Sequence, residues 1–107
     1  MYRGFFRALF SIGLASVSLE ASPTAEQVEF FEKNIRPVLA ERCYECHNSS
    51  DKAKGGLALD WRGGLAKGGD NGPVIVAGKP DESLLLRAIR HEEKELKMPK
   101  DGPKYPR

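Results

Sequence analysis

Between Thr24 and Leu39 the apolar residues Val28, Phe31, Ile35, Val38 and Leu39 recur mostly at steps of three or four, while Glu26, Glu29, Glu32 and Lys33 fall mostly on the other side. That spacing predicts an amphipathic helix over residues 25–35, with Phe30 widening its apolar stripe. Thr24 followed by Gln27 three residues on is a capping-box pattern for its start. Pro37 has no amide hydrogen and disfavours helix at Arg36, so a kink or break is expected there. A short second turn should then run from Pro37 towards Cys43. Residues 48–80 lose this periodicity. A polar loop at Asn48–Asp51 gives way to Gly-Gly pairs at 55–56, 63–64 and 68–69. Leu57-Ala58-Leu59 reads as a short extended piece or turn, and Val74-Ile75-Val76 as a strip lying on the core. Such glycines serve either a flexible surface loop or a backbone wrapped closely around a flat ligand. Pro80 opens a second helix, about 81–91, with Asp81 and Glu82 at its positive end and Arg87 and Arg90 at its negative end. Leu85, Ala88 and Ile89 share one face of it. Residues 100–107 carry Pro103 and Pro106 and read as a short, non-helical tail. The fold class expected is all-α.

Ahead of these elements, Arg3 and Arg7 precede an uncharged, mostly apolar run from Ala8 to Leu19, with small residues at Ser16, Ser18 and Ala21. Basic, apolar and small, in that order, predicts a secretory signal over residues 1–21, with cleavage between 18 and 25. The chain is then exported, and the domain occupies residues 25–99. The apolar run falls short of the roughly 20 residues a bilayer span needs, so no stable membrane span is expected. The full chain of 107 residues allows one small domain, and its 40% hydrophobic and 30% charged content is that of a globular protein. A net charge of +2, with both signs interleaved, argues against a nucleic-acid partner. A core this small often needs a metal or cofactor as a staple.

The strongest chemical signal is Cys43-Tyr44-Glu45-Cys46-His47. C-x-x-C-H is the attachment pattern of c-type haem. Two thiols separated by two residues reach the two vinyl groups on one porphyrin edge, and the adjacent imidazole is carried beneath the ring to the iron. One covalent haem c per chain is therefore expected. Three rivals use the same residues: a thioredoxin-like redox pair, which belongs near a βαβ pattern not seen here; a zinc site using Cys43, Cys46, His47 and His91; and a plain disulfide. For the iron's other face, Met98 is the leading candidate, a thioether in a charged run beside Pro99. His91 is the nitrogen alternative, and water or nothing remains open. Trp61 and Arg62 are weaker candidates for hydrogen bonds to a haem propionate, balanced against a core tryptophan and a surface arginine. No catalytic triad, acid/base carboxylate pair or phosphate loop is present, so an electron carrier rather than an enzyme is expected.

These segments resemble the planctomycete-type cytochrome c domain. C-x-x-C-H, Lys54-Gly-Gly-Leu, Gly68-Gly-Asp-x-Gly-Pro, Gly78-Lys-Pro-x-x-Ser-Leu-Leu and Met98-Pro99 occur in the family's order, and the resemblance runs from about Val28 to Pro99. It implies a small class I-like cytochrome c fold in an exported protein, covalent haem through Cys43 and Cys46, His47 as proximal ligand and Met98 as distal ligand. The expected partners are redox proteins. In the family a further turn and a C-terminal helix follow the Met-Pro motif; here the sequence stops at Arg107. The resemblance therefore implies an apparently missing helix, uncovered apolar surface near Phe31 and Ile35, reduced stability and a poorly held Met98. Two other readings stand beside the electron carrier. One is a truncated, non-functional or partner-dependent fragment of a larger multidomain cytochrome. The other is a haem peroxidase-like enzyme with His91 as distal base.

Overall fold

The computed structural model describes residues 11–13 and 22–107; the expected leader, apart from 11–13, lies outside them. Among the described residues all regular structure is helical, with no strand and only two isolated bridges, His47 to Ala53 and Gly69 to Gly72. The expectation of an all-α chain holds at that level. No described helix is long and apolar enough to cross a membrane.

The first helical segment, α1 (Ala25–Phe30), starts at the expected capping box. Thr24 Oγ1 accepts from the Gln27 amide at 3.2 Å and Gln27 Oε1 accepts from the Thr24 amide at 3.0 Å. The chain is not broken at Pro37. It widens into a π turn over Phe31–Ile35, where the Arg36 amide donates to Phe31 five residues back, and continues as α2 (Arg36–Arg42). The irregularity expected at Arg36 thus takes the form of a π turn, without a break. Pro37 stands in the first turn of α2, where a missing amide hydrogen costs little, and the π turn takes up the mismatch. The apolar stripe of this helix is largely uncovered: α1 buries no residue, and Val28, Phe30, Ile35 and Val38 remain exposed, Phe30 by 60%. Only Leu39 of α1 and α2 enters the core.

Downstream, α3 (Arg62–Lys67) was not foreseen, since Arg-Gly-Gly-Leu-Ala-Lys has poor intrinsic helix propensity. Close approach explains it. Gly64 is buried, and a methyl group there would overlap the Ala58 carbonyl and come 2.7 Å from Trp61 Nε1. Glycine thus lets α3 back directly onto the chain before it. The second expected helix divides into a single 3₁₀ turn, Pro80–Glu82, and α4 (Leu84–Ile89). Ser83 between them is 2% exposed. Its hydroxyl accepts from the Val76 amide at 2.9 Å and reaches the carbonyls of Val76 and Lys79, tying the loop before α4 onto its first turn. Val74, buried, accepts from the Leu85 amide at 3.0 Å, while Ile75 points outward. The core is Leu39, Leu59, Val74 and Ala88.

The tail after Met98 forms no helix, as expected, and is docked. The Tyr105 amide donates to Ile89 at 2.9 Å, and Arg107 pairs with Glu92 at 2.8 Å and Asp81 at 3.4 Å. Among the described residues, no hydrogen bond or ion pair joins residues 22–72 to residues 73–107. Residues of both halves line one cleft.

Candidate functional site

A cleft of about 220 Å³ is lined by Cys43, Cys46 and His47 from the first half and by Met98 from the second. Leu57, Leu59, Val74, Leu85 and Ala88 make its lining mostly apolar. The motif is delivered by the end of α2. The Cys43 and Tyr44 amides both donate to Leu39, at 2.8 and 3.0 Å, and the Cys46 and His47 amides both donate to Cys43, at 3.2 and 3.0 Å. This tight turn presents both thiols, free and half-buried, on one side. Burial pushes the Cys43 thiol above its ordinary range, so it stays protonated at neutral pH.

His47 is held by the chain that follows it. Its Nδ1 lies 3.2 Å from the Leu57 carbonyl oxygen, ten residues on. A carbonyl can only accept, so Nδ1 carries the hydrogen and Nε2 keeps its lone pair for a metal. The same segment is stitched to the motif by the Lys54 amide to Cys46, 2.9 Å, and the Leu59 amide to His47, 3.0 Å. The Asn48 side-chain oxygen gathers three amides, of Ser50, Asp51 and Lys52, and closes the loop between them. Further out, the Asp70 amide donates to Gly55 at 2.7 Å, bringing the two glycine segments together backbone to backbone. Gly68, at φ 74, needs its missing side chain, because a Cβ there would overlap the Gly72 carbonyl.

Met98 lines the same cleft, its amide donating to Ala88 at 3.0 Å. Its peptide bond to Pro99 is cis. His91 does not line the cleft; its Nε2 lies 3.2 Å from the Met98 carbonyl oxygen. The Met98 main chain is thus hydrogen-bonded at both its amide and its carbonyl. Trp61 and Arg62 are also absent from this cleft. They line a second one, with Val28, Phe31, Tyr44 and Leu65. The cations that do line the first cleft are Arg42, Lys54 and Lys100, which the sequence reading did not single out. Lysines and arginines are too common in this chain for any signal to mark those three. Beside the second cleft, Asp60 Oδ2 accepts from the Ser49 amide at 3.0 Å and the Ser49 hydroxyl at 2.9 Å, which holds its carboxyl below the usual range. Burial raises the Tyr44 phenol, partly offset by Arg36.

The residues present fit a haem. A mostly apolar cleft carries two adjacent thiols, one imidazole oriented for metal, a thioether and three cations for paired carboxylates. Among the described residues no three of His, Cys, Asp or Glu group as a metal-ion site of their own. A family model described as Planctomycete cytochrome C matches residues 43–102, from the first motif cysteine through the turn after Met98. No curated protein and no solved structure matches the chain.

Proposed function

The chain belongs to the planctomycete cytochrome c family, and from that premise we propose that it is an exported electron carrier holding one covalent haem c. Cys43 and Cys46 would hold the group by thioether bonds, His47 through Nε2 and Met98 through its sulfur. Arg42, Lys54 and Lys100 would meet its two propionates. When bound, the group would supply a one-electron ferric/ferrous couple, and ligation by both methionine and histidine would place that couple at the higher end of the haem range. The rest is the work of the chain. The Leu57 carbonyl fixes the His47 tautomer and so the face it offers. Leu59, Val74 and Ala88, which line the cleft, would exclude water from the bound group. The Ala88 carbonyl anchors the Met98 backbone. The observation that carries the reading is the placement of Cys43, Cys46, oriented His47 and Met98 around one mostly apolar cleft. Export is supported by the basic, apolar, small order of residues 1–21.

The test is expression with its leader in a host that matures c-type haem, followed by a haem stain on a denaturing gel. The parent should stain and a C43A/C46A variant should not. A redox titration of the loaded protein should follow a single one-electron curve, and peroxide turnover should not exceed that of free haem. A well-expressed, exported parent that does not stain would overturn the proposal.

A further inference from the structure

The end of α4 carries a local arrangement that the cleft itself does not require. His91 adopts a left-handed backbone, φ 57, a conformation that residues with a side chain seldom take. That turn sends the chain out into the loop of residues 92–97 and aims the imidazole back across it. Nε2 reaches the Met98 carbonyl oxygen at 3.2 Å, seven residues on. The Ala88 carbonyl accepts from both the His91 amide, 3.1 Å, and the Met98 amide, 3.0 Å, so the two ends of the loop share one anchor. Arg87, on α4, clasps Glu93 inside the loop at 2.6 Å. Since a carbonyl only accepts, the imidazole donates through Nε2. His91 itself is half-buried and lies outside the cleft.

We propose that His91 is a positioning residue for Met98. Its imidazole fixes the Met98 main chain, so that the thioether stands at the cleft wall instead of swinging out with the loop. This rests on the reading of Met98 as the distal haem ligand, and it assigns His91 a role without contact with the iron. The single bond it supplies has the weight of an ordinary neutral hydrogen bond. Its loss should raise the affinity of a competing ligand for the distal position by roughly two- to tenfold.

The experiment uses the haem-loaded chain and imidazole as the competing ligand for the ferric form, with the red-region thioether–ferric band as a second readout. H91G removes the side chain while relieving the backbone. H91Q keeps an N–H donor at similar reach. H91G should bind imidazole more tightly by about two- to tenfold and weaken the thioether band, and H91Q should restore both. In an M98A background, H91G should change imidazole affinity no further. An H91G protein with parental affinity and band overturns the proposal, as does an equal H91G effect with and without Met98. A parent whose spectrum and imidazole affinity equal those of M98A overturns the Met98 reading instead. If H91G fails to load haem, H91A takes its place as the donor-free variant, with the same outcomes for and against the proposal.

Discussion

Replacing Ser83 with alanine removes one oxygen and leaves the backbone able to stay where it is. The parent serine is 2% exposed, and its hydroxyl receives the Val76 amide at 2.9 Å. Among the described residues no other acceptor takes that amide, so the S83A chain holds an unsatisfied N–H in the loop that precedes α4. Leaving a buried donor without its partner costs about 1–3 kcal/mol, more than the modest net worth of the bond itself. For a domain of this size each kcal/mol moves the melting temperature by about 4–8 °C, so a fall of roughly 5–20 °C is expected. The assay is thermal unfolding of the haem-loaded protein, followed by circular dichroism and by haem absorption together. S83C separates the bond from the volume, because sulfur fills the space but accepts weakly; it should fall nearly as far. An alanine variant melting within about 2 °C of the parent, or a cysteine variant fully restored, would refute the reasoning.

Three further outcomes can be checked on the same preparation. L59A truncates a large, fully buried side chain that lines both clefts; it should cost about 2–5 kcal/mol and lower the melting temperature by at least about 8 °C. G68A should destabilise more than G72A. Both positions have positive φ, but a Cβ at 68 meets the Gly72 carbonyl while one at 72 meets nothing within 4 Å, and equal losses on chemical denaturation would contradict this. D60N should weaken the protein at neutral pH and not in acid. The Asp60 carboxyl is held below its ordinary range by Ser49, so its contribution is present above that range and is lost as pH falls through the depressed value. Parent and D60N melting curves should therefore converge at low pH, and a gap that stays constant from neutral to acid pH would remove the argument.

What could be read from the sequence was whatever lay in consecutive residues. The five residues from Cys43 to His47 carry their own geometry, and the Thr24 and Gln27 box caps its helix as the spacing implies. Met98 stood out in the sequence as a thioether beside proline in a charged run, and it does line the cleft. Features that depend on distant partners were not legible. The π turn at Phe31–Ile35 answers Pro37 through a hydrogen-bond shift that no residue type announces. The helix α3 forms against its own propensity because Gly64 can lie against Ala58. Trp61 and Arg62 were plausible propionate partners by type, and the turn into α3 places them on the other cleft. His91 was weighed as a ligand because imidazoles bind iron; the left-handed turn at its own position points it at the Met98 carbonyl instead.

The seam between residues 22–72 and 73–107 has a consequence for cooperativity. Every described hydrogen bond and ion pair is internal to one side of it, so opening one half takes no polar contact from the other. Two pieces this small bury too little surface to be stable separately. Hydrogen exchange on the chain before haem attachment should then resolve two groups of amides with different opening energies, divided near Pro73. A prosthetic group fixed to Cys43 and Cys46 and ligated by Met98 would act as a keystone. It would bind the two groups into a single unit whose amides exchange together, and the stability of the finished protein would reside as much in its cofactor as in its chain.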